Sequence, residues 1–473
     1  MEFWIDNQWT PSSGNERIEV RNPATGTFLE TVPLGNAEDA DRAIRSAATE
    51  FKSWRKTSVL ERVSLQRRAA ALMRSRADEL ALSLTLELGR PLAAAKNEIE
   101  RSAELLEVYA EEALRLCDEI LPSTAGSRTL VVHQPIGVVI AIAPFNYPIT
   151  LLTFKLGAAL VAGCTVVAKP AEDTPITTLK LAELFLEAGF PAGVFNVVTG
   201  GAALGAALVG HSIPRKVAFT GSSATGIKIA QLAMQTLKSV TLELGGQCPA
   251  LVLEDADVER AASAIARHSF SNSGQFCYRV NRVYVHQTIY QKFLEQLEHF
   301  VSQIKVGNPL EAVCTMGPMI DARIARVSEL HIKDALEHGA TLVTGGSRLT
   351  GGIFDAGIFL PPTVLSDTSH SMKIMTEETF GPVLGVMPFA DLETAIGLAN
   401  DSVYGLAAFV FTKDQTLGWR IAEELEAGSV WVNDIQRSSQ LAPFGGVKQS
   451  GIGREKGRYG LEDYLELKTV YLS

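Results

Sequence analysis

Cysteine is the side chain best suited to attack an electrophilic carbon, and one cysteine here keeps unusual company. Cys277 closes the stretch "SNSGQFC", with Arg279 and Arg282 following it. A free thiol ionises near pH 8.5, and nearby cations or a helix N-terminus lower that value. The two arginines are sequence neighbours that would do so. A lone cysteine also suits a small buried hydrophobe. Upstream, Glu243 stands in "SVTLELGG", an otherwise apolar run. Burying a carboxylate without partners is costly or raises its pKa. A raised pKa suits a general base working near neutral pH. An outward-facing strand residue would equally explain the glutamate.

Two further stretches have the chemistry to hold a nucleotide. "FTGSSATG" puts Gly221 and Gly226 around the start of a helix, where backbone N–H groups and the helix dipole favour a pyrophosphate. Ser222 adds a hydroxyl. The spacing is neither GxGxxG nor a P-loop, and a tight turn explains it as well. "AKPAEDTP" follows a strand, so Lys169 and Glu172 fall at the strand's carboxyl end, where open sheets bind ligands. An acidic residue there binds ribose hydroxyls and repels the 2′-phosphate of NADP. A solvated charged loop is the plainer alternative.

The elements that must position these residues have a clear rhythm. Residues 36–118 are expected to be helical, with Asn36 as N-cap and Asp39 in the capping-box position. "LQRRAAALMRSRADELALSLTLELG" is expected to form one helix ending at Gly89, and "NEIERSAELLEVYAEEALRLC" a second amphipathic one. After Pro135 short apolar runs alternate with helices: "GVVIAIA", "CTVVAKP", "GVFNVVTG", "KVAFTG" and "SVTLELGG". This alternation predicts an α/β fold with a parallel, doubly wound sheet, its strands apolar because helices cover both faces. A second α/β series begins beyond Gly246, with strands "RVYVH", "ATLVTGG", "PVLGVMPF", "LAAFVFT" and "SVWVND". The tail "LEDYLELKTVYLS" ends in a β-like run, an arm suited to pairing with another subunit through an open edge.

Composition narrows the partners. The chain has 473 residues, 46% hydrophobic and 20% charged, with a formal net charge of −10. The negative charge argues against a nucleic-acid partner. No uncharged apolar run approaches the roughly 18 residues of a membrane span, and the opening "MEFWIDNQWTPSSGNE" has no apolar core. The five cysteines show no CxxC spacing, which argues against a disulfide scaffold and against a cysteine-bound metal. The expectation is a cytoplasmic protein.

The motifs in order, "PFNYP", "KPAE", "FTGSSATG", "LELGG", "GQFC", "EETFGPV" and "PFGGVKQSGIGRE", closely resemble the aldehyde dehydrogenase superfamily. The resemblance extends from "NPATG" near the start to the last of these motifs. It implies a Rossmann-type cofactor domain (1–118 and 136–245), a catalytic domain (246–441) and an oligomerisation arm (119–135 and 455–473), assembling as a homodimer or homotetramer. It implies that Cys277 is the nucleophile, Glu243 the general base and Asn146 an oxyanion donor. NAD, with NADP as the alternative, would be held by Lys169 and Glu172 on the adenosine ribose and by Gly221 and Ser222 at the pyrophosphate. Glu378 would hold the nicotinamide ribose, with Phe145 and Phe380 beside the ring. The implied reaction oxidises an aldehyde through a cysteine thiohemiacetal and a thioester. Glu243 argues for hydrolysis of that thioester over transfer to CoA.

The substrate pocket resembles no single subgroup. Arg101, Tyr147 and Arg437 resemble the phosphate-binding residues of the nonphosphorylating glyceraldehyde-3-phosphate dehydrogenases, but Phe276 stands where those have arginine. Ser438 and Ser439 resemble the succinate-semialdehyde dehydrogenases, but Phe154 and Ser271 stand where those have arginine. The expectation is a small aldehyde with an anionic end, such as sulfolactaldehyde, contacted by Arg101, Tyr147, Arg437, Ser438 and Arg279. Arginine is a permanently charged fork suited to such an anion.

Overall fold

The computed structural model describes residues 1–473 except 436–438, so Arg437 and Ser438 lie outside the described residues. The helical region opens as its capping residues require. Asn36 Oδ1 accepts from the amides of Glu38 and Asp39 at 2.8 and 3.2 Å, and Asp39 Oδ2 accepts from the Asn36 amide at 3.2 Å. The helix Ala37–Trp54 follows. The single helix expected over "LQRRAAALMRSRADELALSLTLELG" is instead two, Val59–Ser75 and Ala77–Leu88, broken at Arg76 (φ −110°, ψ 21°). Periodicity does not betray the break, because both halves bury an apolar face. Gly89 ends the second at φ 80°, where an added Cβ would lie 2.6 Å from the Pro318 ring. The long helix Leu92–Arg115 then begins.

The first sheet has eight strands. Five parallel strands form its centre, in the spatial order Phe195–Val197, Thr165–Lys169, Val138–Ile142, Lys216–Thr220, Ser239–Glu243. Alternate residues of Val138–Ile142 enter different cores. Val138, Ile140 and Ile142 pack with Ala40, Ile44, Leu204 and Leu208, whereas Val139 and Ala141 pack with the apolar helix Pro148–Ala162. Helices on both faces explain why these strands read as continuous apolar runs. The N-terminal strands Phe3–Ile5 and Gln8–Thr10 extend one edge in antiparallel fashion. At the other edge the two-residue strand Gly451–Ile452 pairs antiparallel with Leu242 and Glu243. Gly451 has φ 148°, and a Cβ there would sit 2.0 Å from the Leu242 carbonyl oxygen.

The second sheet has seven strands, in the order Thr341–Thr344, Thr363–Ser366, Val383–Phe389, Val280–His286, Cys248–Val252, Ala407–Phe411, Ser429–Val432. All its pairs are parallel except the first. The tail strand Leu465–Leu472 pairs along its whole length with Arg128–Pro135, which also pairs with Glu119–Leu121. Among the described residues no helix is long and apolar enough to cross a membrane.

Candidate active site

Cys277 lies on a loop whose backbone leaves little freedom. Asn272, Ser273 and Gly274 all have positive φ (49°, 56° and 71°). A Cβ on Gly274 would lie 2.2 Å from the Gly381 carbonyl oxygen, so only glycine fits there. Gln275 is the clip: its Nε2 donates to the Asn272 carbonyl at 3.1 Å, and its Oε1 accepts from the Ile320 amide at 2.9 Å. Ser273 Oγ donates to the Gly317 carbonyl at 2.8 Å.

The loop is tied to Asn146 through a buried ion pair. Arg90 and Glu98 bond to each other with both side chains almost fully buried. Glu98 Oε1 also accepts from the amides of Ile149 and Thr150 at 3.1 Å each, capping the start of the helix Pro148–Ala162. Arg90 donates to the Asn146 carbonyl through Nη2 and to Asn272 Oδ1 through Nε at 3.2 Å. Asn272 Nδ2 donates to the same Asn146 carbonyl at 3.1 Å. Cys277 and Asn146 thus share one rigid frame.

Both line a cavity of about 390 Å³. Tyr147, Phe154, Phe276, Tyr278, Trp431 and Phe444 give it aromatic walls. Arg101 lines it too, as sequence reasoning proposed, and the Arg90 guanidinium lies 3.7 Å from the Tyr147 ring centre. The site also holds Lys456, which sequence reasoning passed over. This residue is 4% exposed and has φ 74°, ψ 156°. That region of backbone space is essentially glycine's, and a side chain there costs on the order of 1–3 kcal/mol.

Behind Cys277 lies Glu243, 2% exposed, with neither carboxylate oxygen bonded among the described residues. Burial and the neighbouring Glu455 push its pKa well above the ordinary carboxylate range. Glu455 in turn bonds Lys155 at 2.8 Å, and Lys155 Nζ donates to Thr220 Oγ1 at 2.6 Å. A Cβ on Gly445 would lie 2.6 Å from Glu243 Oε1, so a bare backbone leaves the carboxylate its place. Burial, then the Glu243 charge, also pushes the Cys277 thiol upward. The arginines following Cys277 do not counter this. Arg282 donates to the carbonyls of Gln247, Leu398 and Ala399.

Arg279 departs most from expectation. It is fully buried, does not line the cavity, and donates to the Val383 carbonyl at 2.7 Å and to the Val280 carbonyl at 3.3 Å. It immediately precedes the strand Val280–His286 and its guanidinium is spent on backbone carbonyls, so the structure places it away from the substrate cavity.

On the other side of Cys277 the backbone is bare. A Cβ on Gly246 would meet the Cys277 carbonyl oxygen at 2.3 Å, and one on Gly245 would meet Glu378 Oε2 at 2.6 Å. Glu378 Oε1 accepts from the Gly246 amide at 3.0 Å, and burial raises its pKa to about 7. Phe380 (φ 44°) packs edge-on to Phe145, with ring centres 5.9 Å apart. Lys169 and Glu172 meet the start of the helix Ala202–Gly210. Lys169 is 7% exposed, and a Cβ on Gly201 would lie 3.1 Å from Glu172 Oε1. Gly221 is not shaped as a free phosphate cradle. Its amide donates to the Glu243 carbonyl at 3.0 Å, and a Cβ would strike the Phe219 ring at 2.4 Å. Ser222 caps the helix Ser223–Met234 and is exposed. Glu378 beside Gly245 and Gly246, and Lys169 and Glu172 near Gly201 and Gly205, are residues that would hold a dinucleotide.

The sequence pattern of the aldehyde dehydrogenase family matches residues 9–470, and the chain belongs to that family. It is 43% identical to the 3-sulfolactaldehyde dehydrogenase of Pseudomonas putida over 473 residues, all of this chain and 96% of that protein. It is likewise 43% identical to the succinate-semialdehyde dehydrogenase [NADP(+)] of Escherichia coli (strain K12), over 98% of this chain and 96% of that one. A crystal structure described as an E. coli NADP dependent enzyme superposes with a TM-score of 0.97 at 42% identity, covering 100% of this chain and 98% of that one.

Replacing Glu98 by alanine is expected to leave Arg90 as an unpaired buried charge and to destabilise the protein by about 3–5 kcal/mol. A thermal unfolding midpoint unchanged from that of the parent protein would contradict the role assigned to this pair.

Proposed function

We propose that this protein oxidises a small anionic aldehyde to its carboxylic acid, with Cys277 as nucleophile and NAD as hydride acceptor. The observation that carries this reading is the meeting of Cys277, Asn146 and Arg101 at one cavity, with the unpartnered Glu243 behind the thiol. Burial makes both the thiol and the carboxyl resist charge, and a charged Glu243 further opposes that of the thiol. Glu243 takes the Cys277 proton as sulfur attacks the aldehyde carbon. The new oxyanion is met by the Asn146 amide and the Cys277 backbone N–H, each donor contributing about 3 kcal/mol. Removal of hydride from the tetrahedral carbon, the chemistry a bound nicotinamide supplies, leaves a thioester on Cys277. Glu243 releases that first proton to solvent, takes a second from the attacking water and returns it to the departing sulfur, so the acid leaves as the thiol reforms.

Lys169, Glu172 and Ser222 hold the adenosine half of the cofactor, and Glu378, Phe145 and Phe380 the nicotinamide half. The names of two relatives specify NADP, whereas the Glu172 carboxylate opposes a 2′-phosphate. We assign NAD as the preferred cofactor on that charge. A sulfonated three-carbon aldehyde is the leading substrate, supported by the 3-sulfolactaldehyde dehydrogenase relative and the arginine-lined cavity. Succinate semialdehyde is the second reading, supported by an equal identity. The protein works in the cytoplasm as a homodimer or homotetramer joined through the edge strand Leu465–Leu472, where Leu467 and Tyr471 are exposed. Light scattering that returned a monomer would remove the assembly from this reading.

Cys277→Ala is expected to abolish NADH formation, and Glu243→Gln to slow turnover by about 10²–10⁴-fold. The Glu243 pKa lies above the ordinary carboxylate range, so its base form is lost as pH falls through that raised value. The turnover rate of the parent protein should therefore rise with pH above the ordinary carboxylate range, and a rate that levels off within that ordinary range would refute Glu243 as the base. In a panel of sulfolactaldehyde, succinate semialdehyde and butanal, the anionic aldehydes should have the higher kcat/KM. With the preferred aldehyde, Glu172→Gln should raise the kcat/KM for NADP relative to NAD. Equal use of butanal would sink the anionic-substrate assignment.

A further inference from the structure

Cationic side chains from several elements reach the aldehyde cavity. Among the described residues lining it, the ionic side chains are Arg90, Glu98, Arg101 and Lys456. Arg90 and Glu98 cancel in their own ion pair. Two further cations reach the cavity from separate elements: Arg101 from the helix Leu92–Arg115, and Lys456 from the turn before the helix Gly457–Glu462.

Lys456 is held there deliberately. Its amide donates to Tyr109 Oη at 2.9 Å, and Tyr109 Oη donates to the Phe154 carbonyl at 2.9 Å. The preceding residue, Glu455, exchanges both backbone bonds with Phe444, at 2.7 and 2.8 Å. The following residue, Gly457, has φ 55°, and a Cβ there would sit 2.1 Å from the Leu441 carbonyl oxygen. These contacts fix a backbone conformation that glycine would adopt without cost, yet lysine occupies it. The ammonium then lies 5.9 Å from the Phe154 ring centre and 5.8 Å from that of Phe444, both cavity walls. A strained backbone that delivers a buried cation to a ligand cavity is the pattern of a binding residue.

We propose that Lys456 is a specificity-determining residue, which together with Arg101 seats the anionic end of the aldehyde. This inference rests on the anionic-aldehyde reading and names the second cation that reading needs. A guanidinium fork and a point-charge ammonium from different walls suit an anion with oxygens facing more than one direction. Burial, then Arg101, lowers the lysine's pKa to about 8, while Glu104 on the same helix as Arg101 and Glu455 beside it oppose the shift. Lys155, on the helix Pro148–Ala162, is engaged by Glu455. The Lys456 charge is therefore present below about pH 8 and lost above it.

The test is steady-state kinetics of the full-length protein and of the Lys456→Met, Lys456→Gly and Lys456→Arg variants, with sulfolactaldehyde, succinate semialdehyde and butanal. Glycine suits the backbone at this position, so the Gly variant guards against misfolding. Met and Gly should lower the anionic-to-butanal ratio of kcat/KM about tenfold or more, chiefly through KM, and Arg should restore much of it. In the parent protein KM for the anionic aldehyde should climb above about pH 8, and in the Met variant that rise should vanish. A parent protein that prefers anionic aldehydes, with Met and Gly variants of unchanged ratio, overturns the role of Lys456 alone. A parent protein without that preference overturns the substrate reading and this inference together.

Discussion

The buried Arg90–Glu98 pair is the contact on which the site depends. One carboxylate oxygen takes the arginine, and the other takes two amides at the head of the helix Pro148–Ala162. The arginine passes on to the carbonyl of Asn146 and the side chain of Asn272. Through these bonds the helix bearing Arg101, the turn bearing Asn146 and the loop bearing Cys277 hold one geometry. Buried charges repay their desolvation only when their hydrogen-bonding groups are well used, and here Arg90 donates from all three nitrogens and Glu98 accepts at both oxygens.

A second constraint is the use of glycine to admit functional groups. Gly245, Gly246 and Gly445 stand where a methyl group would collide with Glu378, the Cys277 carbonyl or Glu243. These glycines leave two carboxylates in dry, narrow places where charge is disfavoured. Cys277, Glu243 and Glu378 are thus all groups whose charged forms burial disfavours. A proton moved among them costs less than the creation of a second charge.

Much of the architecture was legible in the chain. The strand–helix alternation after Pro135 predicts the parallel sheet, because strands covered on both faces must be apolar throughout. Asn36 and Asp39 mark a helix start because their bonds are local. The break at Arg76 was hidden, since it interrupts two helices that share a buried face. Cys277, Glu243 and Asn146 stand out through a family pattern, and nothing local reveals their partners. Arg279 was misread because its role is set by the carbonyls of Val280 and Val383, the latter on a strand more than a hundred residues away. Lys456 has a faint signal, a lysine just ahead of glycine in "GREKG", but only the folded chain shows its φ and the cavity it enters.

The strand Gly451–Ile452 gives the fold an order in time. It borders Glu243 at the edge of a sheet whose other strands are complete two hundred residues earlier in the chain. During synthesis Cys277 therefore emerges from the ribosome well before the segment that borders Glu243. A chain still being translated carries an unfinished pocket, so the surroundings of Glu243 are complete only once the strand Gly451–Ile452 has been made.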